Sequence, residues 1–113
     1  SMRIDESLYF ANAAYLEDLV FAQVALREDL THVILMCSAV NAIDLSALEA
    51  LEEVNTRLRE NDVALHLSEV KGPVMDALQR SDFLNHLSGE IFLSHHHAVM
   101  ALRVRETADP ALT

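Results

Sequence analysis

The sequence runs to 113 residues, one domain's worth, and 51% of them are hydrophobic, which supplies the apolar surface for a core that needs no covalent staples. Eighteen Asp and Glu against eight Lys and Arg give a formal net charge of −10, so phosphate backbones and anionic lipid surfaces would repel the chain, and neither nucleic-acid binding nor peripheral membrane docking fits. A single cysteine excludes an intramolecular disulfide, and Ser1-Met2-Arg3 leads into charged residues rather than into the apolar stretch of a signal peptide. Arg3-Ile4-Asp5-Glu6 and Ser7-Leu8-Tyr9-Phe10 read as a short strand pair or one bent strand. Asn12 opens a helical stretch to about Leu30, in which Leu16, Leu19, Val20, Leu26 and Leu30 recur at helical spacing and are expected to face a core.

Val33 to Cys37 is a continuous apolar run, the pattern of a central strand covered on both faces and far short of the roughly 20 residues that a bilayer requires. Cys37 within it reads as a buried thiol that packs as a small hydrophobe. Asp44 to Asn61 carries the clearest helical signal: Leu48, Leu51, Val54, Asn55 and Leu58 form one stripe, with Glu49, Glu52, Glu53, Arg57 and Glu60 toward water. Val63 to Leu67 is a second buried-type strand. Gly72-Pro73 starts a shorter helix with Val74, Ala77 and Leu78 inward, proline taking its favoured first position. Glu90 to Leu93 is a last strand, and Ser94 caps a final helix through about Val104. Strands alternating with helices predict a layered α/β domain, with a mixed, mostly parallel sheet of about four to five strands and about four helices. With only two glycines, two prolines and no repeat or linker, one unit is expected over 3–104, after a cloning remnant at 1–2 and before a C-terminal tail at 105–113.

Chemistry finds few footholds. The six histidines include His95-His96-His97, but consecutive helical residues fan out by about 100° each, so three in a row cannot converge on one ion. No metal site and no cofactor are expected. Two glycines cannot build a phosphate-cradling loop, and Ser46 has no evident base or oxyanion motif beside it, so no catalytic residue is assigned.

One segment stands out: Asn41-Ala42-Ile43-Asp44-Leu45-Ser46-Ala47, between a buried strand and the strongest helix. In open α/β sheets such a loop lies at the carboxyl end of strands, where partners meet the domain. Ser46 with Glu49 matches a capping box, and Asp44 is an alternative cap. A serine at a helix N-terminus is also a favourable phosphate-acceptor position, because the dipole and free N–H groups stabilise the added charge.

The order of elements and the Asp44-Leu45-Ser46-Ala47 turn resemble the STAS family, shared by anti-sigma factor antagonists and sulfate-permease-type anion transporters. The family pattern is Asp, two small hydroxyl residues, then Gly, with the second hydroxyl residue phosphorylated in the antagonists. Asp44 and Ser46 match it, while Leu45 and Ala47 depart from it. Ile4 to Ala13, reading through Leu8-Tyr9-Phe10-Ala11-Asn12-Ala13, looks like the start of the transporter form, as do Val33-Ile34-Leu35 and Val40 to Asp44; Met36 departs where an aspartate is common. The resemblance implies the C-terminal cytoplasmic domain of a sulfate-permease-family carrier. Such a domain would be non-catalytic and would contact the transmembrane part, a soluble regulatory protein or a second copy. The second reading that it implies is a freestanding antagonist switched by phosphorylation of Ser46. Phe21, between Glu17 and Glu28 on the helical projection, is expected as an exposed contact residue beside the 41–47 loop and the helix it opens.

Overall fold

The computed structural model describes residues 5–9 and 15–108. Four strands, β1 (Asp5–Tyr9), β2 (His32–Met36), β3 (Ala64–Ser68) and β4 (Ile91–Phe92), lie side by side in chain order, and every adjacent pair is parallel. A parallel neighbour cannot be reached by a tight turn, so each return crosses the sheet through a helix. These are α1 (Leu16–Leu26), α2 (Leu45–Glu60), and the pair α3 (Gly72–Arg80) and α4 (Phe83–His86). Because such crossovers share one hand and the strand order never reverses, all four helices pack on the same face.

The strands' alternation divides the core accordingly. Leu8, Val33, Leu35, Leu65 and Leu67 point to the helical face and pack with Leu16, Val20, Leu51, Val54, Leu58, Val74, Leu78 and Phe83. Ile34 and Phe92 point to the other face, where α5 (His95–Ala108) covers them with Ala98 and Leu102. Val33, Ile34 and Leu35 are all fully buried, which is why β2 carries no polar residue between them.

Two close fits fix the chain's course around β3. After α2, Asp62 takes a left-handed conformation (φ 60°), its N–H donating to the Arg59 carbonyl at 3.1 Å while the Val63 N–H reaches the Leu58 carbonyl at 2.8 Å. This is a Schellman cap, and Val63 and Leu58 bury together beneath it. Further on, Gly89 passes so near β3 that a Cβ there would collide with the Leu65 carbonyl and the His66 imidazole. That approach lets the Glu90 N–H donate to His66 Nδ1 at 3.0 Å and the Leu67 N–H reach the Glu90 carbonyl at 3.0 Å, which brings β4 into the sheet.

Several expectations are corrected. The first helix ends at Leu26 rather than Leu30, and its expected start at Asn12 lies outside the described residues, as do Arg3, Ile4 and Phe10. Leu19 (36% exposed) and Leu26 (77%) face solvent, because the apolar residues of α1 spread around its circumference between Glu17, Asp18 and Gln23 and periodicity alone cannot choose the buried side; the sheet takes Leu16 and Val20. The one-turn helix α4 was not expected. The last strand is two residues long, with Leu93 88% exposed, and the final helix continues past Val104 to Ala108. Ser94 does cap that helix, its Oγ accepting from the His97 N–H at 3.0 Å.

Replacing Gly89 with Ala is expected to destabilise the fold by about 1–3 kcal/mol, since backbone and a buried ring must shift. Asp62→Gly relieves the left-handed strain and should stabilise by about 0.5–1 kcal/mol. Urea unfolding midpoints read both changes, with opposite signs.

Candidate protein-contact site

Between β2 and α2 the chain turns through a hydrogen bond from the Val40 N–H to the Cys37 carbonyl (3.0 Å) and runs as an irregular segment to Asp44. Lys71, just before α3, donates to Asn41 Oδ1 at 2.6 Å and ties this loop to its neighbour. Asp44 is extended (φ −93°, ψ 179°), and its Oδ1 accepts from the Ala47 N–H at 2.8 Å, so Asp44 is the N-cap of α2. The expected Ser46–Glu49 capping box is thereby corrected in favour of the alternative cap, Asp44: Ser46 is the second residue of the helix proper, beyond the capping position. Of the expected loop, Asn41, Ala42, Asp44, Leu45 and Ser46 are exposed, Ile43 packs half-buried against the core, and Ala47 is buried. The exposed Ser46 hydroxyl therefore lies at the positive end of a 16-residue helix.

Phe21 differs from expectation. Its ring is half-buried against the main core, and the Arg57 guanidinium lies 4.6 Å from its centroid, so α2 covers the aromatic face that was expected to be free. Glu53 in turn pairs with Arg57 at 3.2 Å.

On its outer side α2 borders a groove of about 600 Å³, lined by Leu45, Leu48, Glu49, Glu52, Glu53 and Thr56 and closed by Ser81, Asp82 and His86 from the α3–α4 corner. Leu45 is 71% exposed and Leu48 partly so, which makes an apolar floor. His86 Nδ1 stands 3.3 Å from the Glu52 carboxylate. The wall is held from below by Asn55, only 1% exposed. Its amide donates to the His86 carbonyl at 2.7 Å, and its Oδ1 accepts from both the N–H and the hydroxyl of Ser88 at 3.1 Å. Ser88 Oγ accepts from the Leu65 N–H at 3.1 Å, and Arg59 also donates to the His86 carbonyl. A buried polar side chain so fully engaged fixes α2, the α4–β4 connection and β3 relative to one another.

Among the described residues no group of three or more His, Cys, Asp or Glu could hold a metal ion. His66 is buried and accepts the Glu90 N–H at Nδ1, so its proton is on Nε2 and is donated to His32 Nδ1 at 2.9 Å. The Phe92 ring lies between His66, tilted against it with centroids 5.8 Å apart, and the exposed His97, which it meets edge-on at 5.6 Å. Burial pushes the Cys37 thiol up to about 12, so it is chemically quiet at neutral pH.

Asp44 and Ser46 stand at the start of α2 as the sequence places them, while the groove has no local sequence pattern. Asn55 inside an otherwise apolar stripe was the available signal, since a buried amide needs partners. Its partners lie at 86 and 88, where nothing in the sequence marks them.

A family model described as the STAS domain matches residues 1–98. A curated relative, sulfate transporter 3.2 of Arabidopsis thaliana, is 33% identical over 110 residues; the match covers 88% of this chain and 17% of that protein, so the chain spans less than a fifth of its relative's length. Among solved structures, the STAS domain of a SulP transporter from Vibrio cholerae superposes with a TM-score of 0.81 at 16% identity, covering 96% of this chain and 89% of that one. A putative anti-sigma factor antagonist from Thermotoga maritima gives 0.68 at 18%, covering 90% and 84%. At these identities the structural likenesses show the fold.

Asp44→Ala should cost about 1 kcal/mol of stability through loss of the cap, whereas Ser46→Ala should change it by less than about 0.5 kcal/mol; chemical denaturation distinguishes them. Native Cys37 should react with iodoacetamide near pH 8 about a thousandfold more slowly than in denaturant, since the raised pKa removes most of the thiolate. Mass spectrometry of the alkylated chain reads that ratio.

Proposed function

This chain belongs to the STAS domain family, and we propose that it is the regulatory, protein-contact domain on the cytoplasmic side of a sulfate-permease-family anion carrier. The observation that carries this reading is the relationship to the sulfate transporters, in which a segment of this length makes up 17% of a much longer protein. No described helix is long and apolar enough to cross a membrane, so transport itself would belong to other parts of the carrier. The domain works without catalysis. Its one thiol is buried, and the outer side of α2 carries a groove of carboxylates over leucines. It modulates transport or carrier assembly by contact, through the 41–47 loop and the outer face of α2, with the α1–α2 seam at Phe21 and Arg57 as a second margin. The contacted groups are the carrier's transmembrane part, a soluble regulatory protein or a second copy of the domain.

A second reading is favoured by one feature, the solvent-exposed hydroxyl of Ser46 at the start of α2. There the chain is a freestanding anti-sigma factor antagonist, and phosphorylation of Ser46 by a kinase-like partner switches binding.

The two readings separate on the gene and on the protein. The reading frame encoding this chain should specify a series of apolar spans of about 20 residues each. The membrane part, expressed separately, should co-purify with the domain in detergent. A frame with no such spans, together with stoichiometric phosphate on Ser46 that Ser46→Ala abolishes, overturns the carrier reading in favour of the antagonist.

A further inference from the structure

The groove on the outer side of α2 has a shape and a charge that specify more than a generic contact. Its floor is Leu45 and Leu48, the first largely in solvent. Its rim carries four carboxylates, Glu49, Glu52, Glu53 and Asp82. Two are engaged within the domain, Glu52 with His86 and Glu53 with Arg57, while Glu49 and Asp82 have no ion pair among the described residues. The wall that carries Asp82 and His86 is held by buried Asn55, so the groove stands formed before any partner arrives and binding need not order it.

The spacing of the charges selects the occupant. Glu49, Glu52 and Glu53 are distributed over one turn, with a rise of about 6 Å from first to last, and Asp82 faces them from another element. Among the described residues they do not converge as metal ligands. A single small cation therefore cannot satisfy them, whereas a polypeptide bearing several Lys or Arg side chains can, with bidentate guanidinium pairs giving the closest match. The leucines require an apolar side chain in the same segment. Cytoplasmic loops of membrane proteins carry an excess of Lys and Arg beside apolar spans, which is the composition the groove complements.

We propose that this groove docks a Lys/Arg-bearing cytoplasmic segment of the carrier's own membrane part, with an apolar residue seated on Leu45 and Leu48 and cations on Glu49, Glu52, Glu53 and Asp82. The inference rests on the carrier reading above and supplies its contact chemistry. It also places Ser46 one residue from the leucine floor, so the segment that docks here approaches the start of α2.

Two measurements test it separately from that reading. In the first, fluorescence anisotropy follows a labelled helical peptide of about twelve residues, with arginines flanking a leucine, as the purified chain is added. Binding should weaken steadily with salt, and the Glu49→Gln/Asp82→Asn double variant should weaken it at least about tenfold. Leu45→Ser should weaken it independently. Among the described residues Glu49 and Asp82 hold no internal ion pair, so the double variant should melt like the parent chain. Equal binding by parent and double variant, or equal binding of a peptide with glutamates in place of arginines, overturns the proposal. In the second, the membrane part is co-purified with the parent chain and with the double variant. Capture by the parent and loss by the variant supports the groove. Equal capture by both overturns the groove while the carrier reading stands. Capture by neither overturns the carrier reading, and with it the occupant named here.

Discussion

The architecture follows from the hydrogen-bonding demand of parallel strands laid down in chain order. Each strand of the β1-β2-β3-β4 sheet can pair with the next only after the chain has crossed back over the sheet, and a constant hand puts every crossing on one face. Helix α2 is thereby set between α1 on one side and the α3–α4 pair on the other. Its inner stripe of Ala47, Leu51, Val54 and Leu58 goes to the core, and Arg57 reaches across to Phe21 of α1. What remains is one outward strip, bounded at its start by the Asp44 cap and along its length by His86 and Asp82. The surface offered to a partner is the residue of that packing arrangement, and its position was decided by the sheet.

Polar groups inside the fold are used for alignment. Asn55 spends its donor and acceptor on His86 and Ser88, and His66 accepts one backbone N–H while donating to His32. His66 ties β3 to the chain entering β4, and Asn55 ties α2 to the α4–β4 connection; β4 has only two residues of its own to hold it in register. Removing one member would leave buried groups unpaired, a larger loss than the bond itself contributes. These contacts give the α4–β4 region its definition.

How much of this could be read from the sequence depended on whether the deciding contact was local. The strands β2 and β3, the helix α2 and the caps at Asp44 and Ser94 follow from patterns within a few residues, and the order of elements made the family resemblance recognisable before any coordinates. In α1 the apolar residues spread around the helix, so that Leu19 and Leu26 look no different from Leu16 and Val20 in the sequence; only the sheet's position distinguishes them. Phe21 was expected in solvent because its cover, Arg57, belongs to another helix. The helix α4 is a single turn with no periodicity to detect. The groove joins the outer face of α2 to the α3–α4 corner, elements far apart in the chain, so no local pattern marks it.

The proposed contact role requires a footprint, and hydrogen–deuterium exchange of the chain alone and joined to the membrane part of the proposed carrier measures it most directly. The account predicts added protection at 41–49, along the outer face of α2 and at 81–86, with exchange in β2 and β3 unchanged. Protection confined to the α5 side of the sheet, or none anywhere, would contradict it.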